Sequence, residues 1–370
     1  MQIPRRVALC LTFATGLGCT GTAFAGYGCY DTSLYPAVYE LSETQGQLRA
    51  LLGHPADEPR QPDMTIDRYA SRTADGGWQL KSRLCTGQDS RCGAAFILNA
   101  GCNQTIPVPD LPWAEFQKLA PDLAKSMQEG SEEDGEEDAD SSDNATAPRT
   151  PQDLKQAAGS CFAAGDAVWF GLTFSCGEGM GCGVGGLGRY DTHTGKVEMR
   201  YPAAFVGYSL APLAFDGRYL WFGTFSSSDC IGFDPGIGLI RYDWKLQTYV
   251  SFGGGTDSEH DPGGPCGIEF NDLYVTKEGL WASSDMGLAF LPNPQDDPRK
   301  LHWVNYRPDT KDPKQPLKVT TCSAVYSHLL DTLPRHDMNS AEEFTSHYDQ
   351  FVTTLRHLNP DLMAELTKQP

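Results

Sequence analysis

His260, flanked by Glu259 and Asp261 in a Gly/Pro-rich stretch, is the residue of this chain whose type and setting best suit chemistry. A neighbouring carboxylate fixes an imidazole's tautomer and raises its basicity, so Glu259-His260 reads as a catalytic His/acid pair or as a metal ligand. The competing reading is a solvated loop, because no second histidine lies nearby; His193 and His302 are the partners that folding would have to bring. Asp229, Asp234 and Asp257 occupy similar loops and, with backbone carbonyls, could hold Ca2+, although EF-hand spacing is absent. Gly181 to Gly188 contains G-x-G-x-x-G in two registers. A dinucleotide site needs a helix after it, whereas Arg189-Tyr190-Asp191 and a β-like stretch follow, which favours a blade loop. No G-x-S-x-G, H-E-x-x-H or P-loop is present.

The elements that must position these loops show themselves by repetition. Trp169-Phe170-Gly171 and Arg189-Tyr190-Asp191 return as Trp221-Phe222-Gly223 and Arg241-Tyr242-Asp243, both at an offset of 52 residues. A shorter third copy holds Leu280-Trp281-Ala282-Ser283 and Gly287-Leu288-Ala289-Phe290. Two landmarks that share one offset mark an internal repeat, and three or four short strands per unit is the pattern of a β-propeller blade. The tryptophans could stack on sugars, but their regular place favours blade core.

Trp-Phe-Gly-Thr followed by Gly-Leu-x-Arg-Tyr-Asp resembles the repeats of the two-component regulator propellers and of the streptogramin-lyase-like propellers. The match covers Trp221, Phe222, Gly223, Thr224, Gly238, Leu239, Arg241, Tyr242 and Asp243, and the copy at Trp169 has Leu172 in place of Thr. The resemblance implies the fold and little function. It extends over about 150 residues. Phe174 to Val184 and Phe225 to Pro235 are insertions relative to that pattern, and both contain cysteine. Phe174, Phe225, Asp229 and Asp234 are therefore the candidate ligand-binding residues.

Around the repeats (160–335) the chain divides further. Residues 1–25 read as a signal peptide, with Arg5-Arg6, an apolar run and Ala23-Phe24-Ala25, which implies a secreted or periplasmic protein cleaved near Ala25. Lipidation at Cys19 and twin-arginine export are weaker alternatives. Residues 26–109 form an N-terminal α+β or divergent blade region, with a helix expected over Ser42 to Leu52, a hairpin turning at Asp75-Gly76 and a buried strand at Ala94 to Asn99. Residues 110–159 are a helical insertion, with a helix broken near Pro121, an acidic disordered loop over 129–148 and a short helix from Thr150 to Gly159. Leu317 to Tyr326 could be a strand, and 336–370 is a C-terminal tail with an amphipathic helix over Ser340 to Leu358.

Loss of the signal leaves ten of the twelve cysteines, an even number that points to disulfides in an oxidising compartment. Cys85/Cys92 and Cys176/Cys182 are the local candidates. A net charge of −19 argues against nucleic acid and anionic membrane surfaces as partners, and no later segment has the apolar length of a membrane span. The fold expected is mainly β, a propeller with three visible blades. The function expected is binding of a protein or small ligand through the inserted loops, without catalysis. A lyase or hydrolase using His260 and an acid or metal in the funnel, and an envelope-associated structural protein, are the alternatives.

Overall fold

The computed structural model describes residues 38–55, 64–82, 105–129, 154, 156–172, 184–225, 238–253, 264–267, 270–284, 286–309 and 312–321. Seventeen strands in four antiparallel meanders make up most of them, in a four-bladed propeller arrangement. The N-terminal sheet holds β1 (Val38–Thr44), β2 (Gln47–Pro55), β3 (Met64–Arg72) and β4 (Trp78–Ser82). The first repeat forms β5 (Ala158–Ala164), β6 (Ala167–Leu172), β7 (Leu187–Asp191) and β8 (Val197–Arg200). The second forms β9 (Ser209–Phe215), β10 (Leu220–Phe225), β11 (Gly238–Asp243) and β12 (Thr248–Gly253). The third forms β13 (Phe270–Thr276), β14 (Gly279–Ser284), β15 (Gly287–Pro292) and β16 (Val304–Pro308), with a fifth strand, β17 (Leu317–Thr320), on its outer edge. Two short helices, α1 (Trp113–Leu119) and α2 (Pro121–Glu129), meet at the expected proline break.

The first strand of each sheet is innermost: β5 lies against β9, β9 against β13, and β13 against β1. Three apolar cores fill the seams. One joins the first and second repeats through Trp169, Phe205, Phe222 and Tyr242, and one joins the second and third through Trp221, Phe252, Phe270 and Leu280. The last joins the third repeat to the N-terminal sheet through Trp281, Leu288, Leu52 and Trp78. The helices pack separately, with Phe116, Ala120 and Ala124 against Val184, Tyr201 and Val206.

The repeat landmarks fall on the second and third strands. Trp169, Trp221 and Trp281 are 8%, 0% and 0% exposed, so they are core and no sugar platform. Burying such a ring removes roughly 150–250 Å² from water, worth about 4–6 kcal/mol as an upper bound, far more than a surface ring would contribute to folding. Each Trp stands directly across from the third-strand landmark, in the pairs Trp169–Arg189, Trp221–Arg241 and Trp281–Phe290. The glycine after Trp-Phe is required because the next sheet's inner strand passes over it. A Cβ at Gly171 would strike the Leu210 carbonyl of β9, and one at Gly223 would lie 3.0 Å from the Phe270 Cβ of β13. The terminal Asp of Arg-Tyr-Asp closes the following turn: Asp191 accepts from the amides of His193 and Thr194, and Asp243 from those of Lys245 and Leu246.

Three expectations need correction. Ser42 to Leu52 is the β1–β2 hairpin and no helix: Gln45 (φ 52) and Gly46 (φ 75) supply the two left-handed residues of a tight hairpin turn, and Leu48, Ala50 and Leu52 bury one face at period two. The described residues of the N-terminal region, 38–55 and 64–82, form a four-stranded antiparallel sheet. The helix expected to stop at Gly159 gives way to β5, which starts at Ala158, with Leu154 in an isolated bridge to Leu111. Leu317 to Thr320 extends the third repeat's sheet and supplies no further blade. The Asp75-Gly76 hairpin is as expected, with Gly76 at φ 85 and its amide donating to the Thr73 carbonyl at 3.0 Å. The strand at Ala94 to Asn99 and the helix over Ser340 to Leu358 lie outside the described residues, as does the acidic loop expected over 129–148 except for Glu129, which ends α2.

Candidate ligand-binding face

Antiparallel meanders with the first strand inside place the strand 1–2 and 3–4 connections on one face and the strand 2–3 and 4–1 connections on the other. The first of these is a face of turns. Residues 45–46, 165–166, 216–219 and 277–278 join first to second strands there, and 73–77, 192–196, 244–247 and the longer 293–303 join third to fourth. Contacts between sheets confirm that they share a side: Gln295, between β15 and β16, donates to the Asp216 carbonyl at 2.8 Å, and Arg72, at the end of β3, meets Glu278 at 3.6 Å. The opposite face carries the long connections 173–186, 226–237, 254–269 and 83–157.

Each of the repeat loops is held shut at its base. Thr224, fourth residue of Trp-Phe-Gly-Thr, donates its hydroxyl to the Gly238 carbonyl at 3.1 Å and so ties the end of β10 to the start of β11. Ser284 takes the same place in the third repeat, where its hydroxyl accepts from the Met286 amide at 3.2 Å and lies 3.4 Å from the Gly287 carbonyl. Leu172 has no hydroxyl, and there the backbone amide donates to the Gly186 carbonyl at 2.9 Å. Gly238 (φ 81) opens its strand in a left-handed conformation, which is why glycine stands at this point of the pattern.

The connection into the third repeat is a buried strap over 264–267. Asn305 accepts from the Cys266 amide at 3.0 Å and donates to the Gly264 carbonyl at 3.1 Å, while Ser284 donates to the Cys266 carbonyl at 2.8 Å. On the first repeat, Val184 bridges Val206 and the Gly185 amide donates to the Phe205 carbonyl at 3.0 Å. Cys161 in β5 and Cys266 in the strap are each disulfide-bonded. Asn305, Ser284 and Thr224 went unnoticed as loop anchors in the sequence; the alignment of Ser284 with Thr224 was the available signal.

His260, Glu259, Asp229, Asp234, Phe174, Cys85, Cys92, Cys176 and Cys182 lie outside the described residues, and Phe225 is the last residue of β10. Gly181 to Gly183 lie outside as well, but Leu187–Asp191 is a strand, so no helix follows the glycine-rich stretch to receive a pyrophosphate. Among the described residues no group of three or more His, Cys, Asp or Glu is placed to hold a metal, and no helix is long and apolar enough to cross a membrane.

Shifted carboxyls among the described residues belong to the turn face. Asp191 is lowered by the Thr194 amide and hydroxyl, Asp75 by the Thr73 hydroxyl and the Gly77 amide, and Asp297 to about 2 by the Arg299 side chain and amide. Each of these carboxylates folds its own turn, which is a structural duty. Arg241 is pushed down by burial in the seam between repeats, and Tyr242 and Tyr306 are pushed up by burial.

No protein-family model matches the chain, and no curated protein matches it. Among solved structures it is similar to two extracellular domains from B. thetaiotaomicron. One, from a protein described as a one-component system, shows 13% identity and a TM-score of 0.25 over 77% of this chain and 33% of that one. The other, described as a hybrid two-component system, shows 12% identity and a TM-score of 0.34 over 79% and 51%. The CNH domain of AfRom2 shows 10% identity and a TM-score of 0.22 over 79% and 96%. The chain thus spans about a third and about half the length of the first two.

Proposed function

We propose that this is a secreted or periplasmic propeller that binds a protein or small ligand through the connections 173–186 and 226–237, with 254–269 beside them, and performs no catalysis. The observation that supports this reading is the placement of the insertions: 173–186 and 226–237 leave one face, from necks closed by Leu172 and by Thr224, while the opposite face carries short turns and the connection 293–303. Rigid blades presenting variable loops are the usual arrangement of a binding surface. The export reading rests on residues 1–25 and agrees with the disulfide-bonded Cys161 and Cys266. The three connections hold Glu178, Asp229, Asp234, Asp257, Glu259, Asp261 and Glu269 and no lysine or arginine, so a ligand with cationic groups suits them. Phe174 and Phe225 would add apolar contact at two loop bases, and Ca2+ is the ion those acids would take.

Thermal denaturation against a panel of basic peptides, amino sugars and calcium chloride tests the proposal. A panel member should raise the Tm of the intact protein and fail to raise that of a variant with 226–237 replaced by Gly-Asn-Gly, whose own far-UV spectrum stays unchanged. An equal rise in both proteins overturns it. Chemical conversion of the panel member, lost in His260→Ala, also overturns it, in favour of the lyase or hydrolase reading.

A further inference from the structure

Consecutive repeats are tethered by the chain: 201–208 joins β8 to β9, and 254–269 joins β12 to β13. The seam between the third repeat and the N-terminal sheet has no such tether, since its partners come from opposite ends of the described chain, 38–82 and 270–320. Among the described residues the contacts across it are non-covalent. The Asp272 carboxylate, buried on β13, accepts from the Leu41 amide at 2.9 Å, and Asn271 donates to the Val38 carbonyl at 3.0 Å. The Leu80 amide reaches the Pro313 carbonyl at 3.4 Å.

The aromatic side of this seam departs from the repeat. In the first two repeats the guanidinium on the Trp comes from the facing strand of the same sheet, with Arg189 5.7 Å from the Trp169 ring and Arg241 5.9 Å from that of Trp221. In the third repeat Phe290 holds that place and stacks on Trp281 at 4.3 Å. The guanidinium is supplied by the N-terminal sheet instead: Arg72 lies 4.7 Å from the Trp281 ring, 5.6 Å from Phe290 and 6.0 Å from Trp78. Trp78 meets Trp281 edge-on at 5.7 Å. Arg72 is 22% exposed and also meets Glu278 of the third repeat at 3.6 Å, and a partly buried cation among three rings is worth about 1–2 kcal/mol, enough to decide a local opening equilibrium.

We propose that the N-terminal sheet is a latch: it opens from the third repeat as one unit, at this seam before any other, and Arg72 is the residue that holds it shut. The other seams stay closed because their sheets are joined in sequence, so separating them frees less chain entropy. Opening would uncover β1 and β13 along the central axis.

Native-state hydrogen exchange on the full chain tests the proposal. In Arg72→Met the Leu41 amide and those of 48–52 should lose about tenfold in protection, while Ile240 and Tyr242 on β11 change less than twofold. Arg189→Met, the matching change in the first repeat, should leave Leu41 unaffected. A loss spread evenly over all four sheets, or no loss at Leu41, overturns the latch. If Arg72→Met does not fold, Arg72→Lys, which keeps the charge without the planar face, is read by the same criteria.

Discussion

Trp221 and Arg241 stand directly opposite each other on β10 and β11, and the arginine does two jobs from that position. Its guanidinium lies 4.5 Å from the Tyr219 ring and 5.9 Å from that of Trp221, and its Nη1 donates to the carbonyls of Pro294 and Asp296 at 3.0 and 2.7 Å. Those carbonyls belong to the third repeat, so one side chain closes its own sheet and locks the next. The Trp221 indole is fixed in turn by Asp216, at 2.8 Å.

Arg241→Met should therefore destabilise the protein by about 2 kcal/mol. It strips the buried Pro294 carbonyl and the partly exposed Asp296 carbonyl of a charged donor, although relief of the buried charge offsets part of the loss. Arg241→Lys should recover little, because an ammonium cannot stack and reach both oxygens. Guanidinium midpoints at constant m-value measure both effects.

Gly171→Ala should cost about 2–3 kcal/mol, since its methyl group meets the Leu210 backbone of β9, which cannot give way as a side-chain tip would. Gly195→Ala, at φ 72 in an open turn, should cost only about 1 kcal/mol. A difference of less than about 0.5 kcal/mol between the two by calorimetry would show that the blades are not pressed together there.

Stability should fall at both ends of the pH scale. The turn carboxylates Asp75, Asp191 and Asp297 titrate lower when folded than the ordinary 3.8, so their contribution is present above about pH 4 and fades as pH falls towards about 2. Tyr201, Tyr242 and Tyr306 are held above the ordinary 10.0, mainly by burial. The unfolded chain ionises first above that pH, and stability is lost as pH rises further. Asp191→Asn should flatten the acid limb of a Tm–pH curve while leaving the alkaline limb in place.

The second and third strands of the repeats were legible because their landmarks answer to fixed contacts: Trp to the facing residue, Gly to the neighbouring inner strand, Asp to the turn it caps. The inner strands were not. Ala158–Ala164 and Ser209–Phe215 are built from Ala, Gly, Ser and Pro among a few larger residues, because the crowded axis admits small side chains, and such residues carry a weak β signal on their own. Ser42 to Leu52 misled for a related reason: Leu41, Leu48 and Leu52 also satisfy a helical spacing, and only Gln45-Gly46 betrays the hairpin. In the candidate site the anchors Thr224 and Ser284 were visible as repeat residues, whereas Asn305 contacts a strap 39 residues away in sequence and leaves no local mark.

The bonded necks have a consequence for how this chain can change. With Thr224 and Ser284 fixing where a loop leaves and re-enters, lengthening that loop alters little besides its closure entropy, roughly 0.6 kcal/mol per doubling. The positions just after Phe225 and just before Gly238 are therefore natural ports for displaying an inserted peptide on an unaltered scaffold.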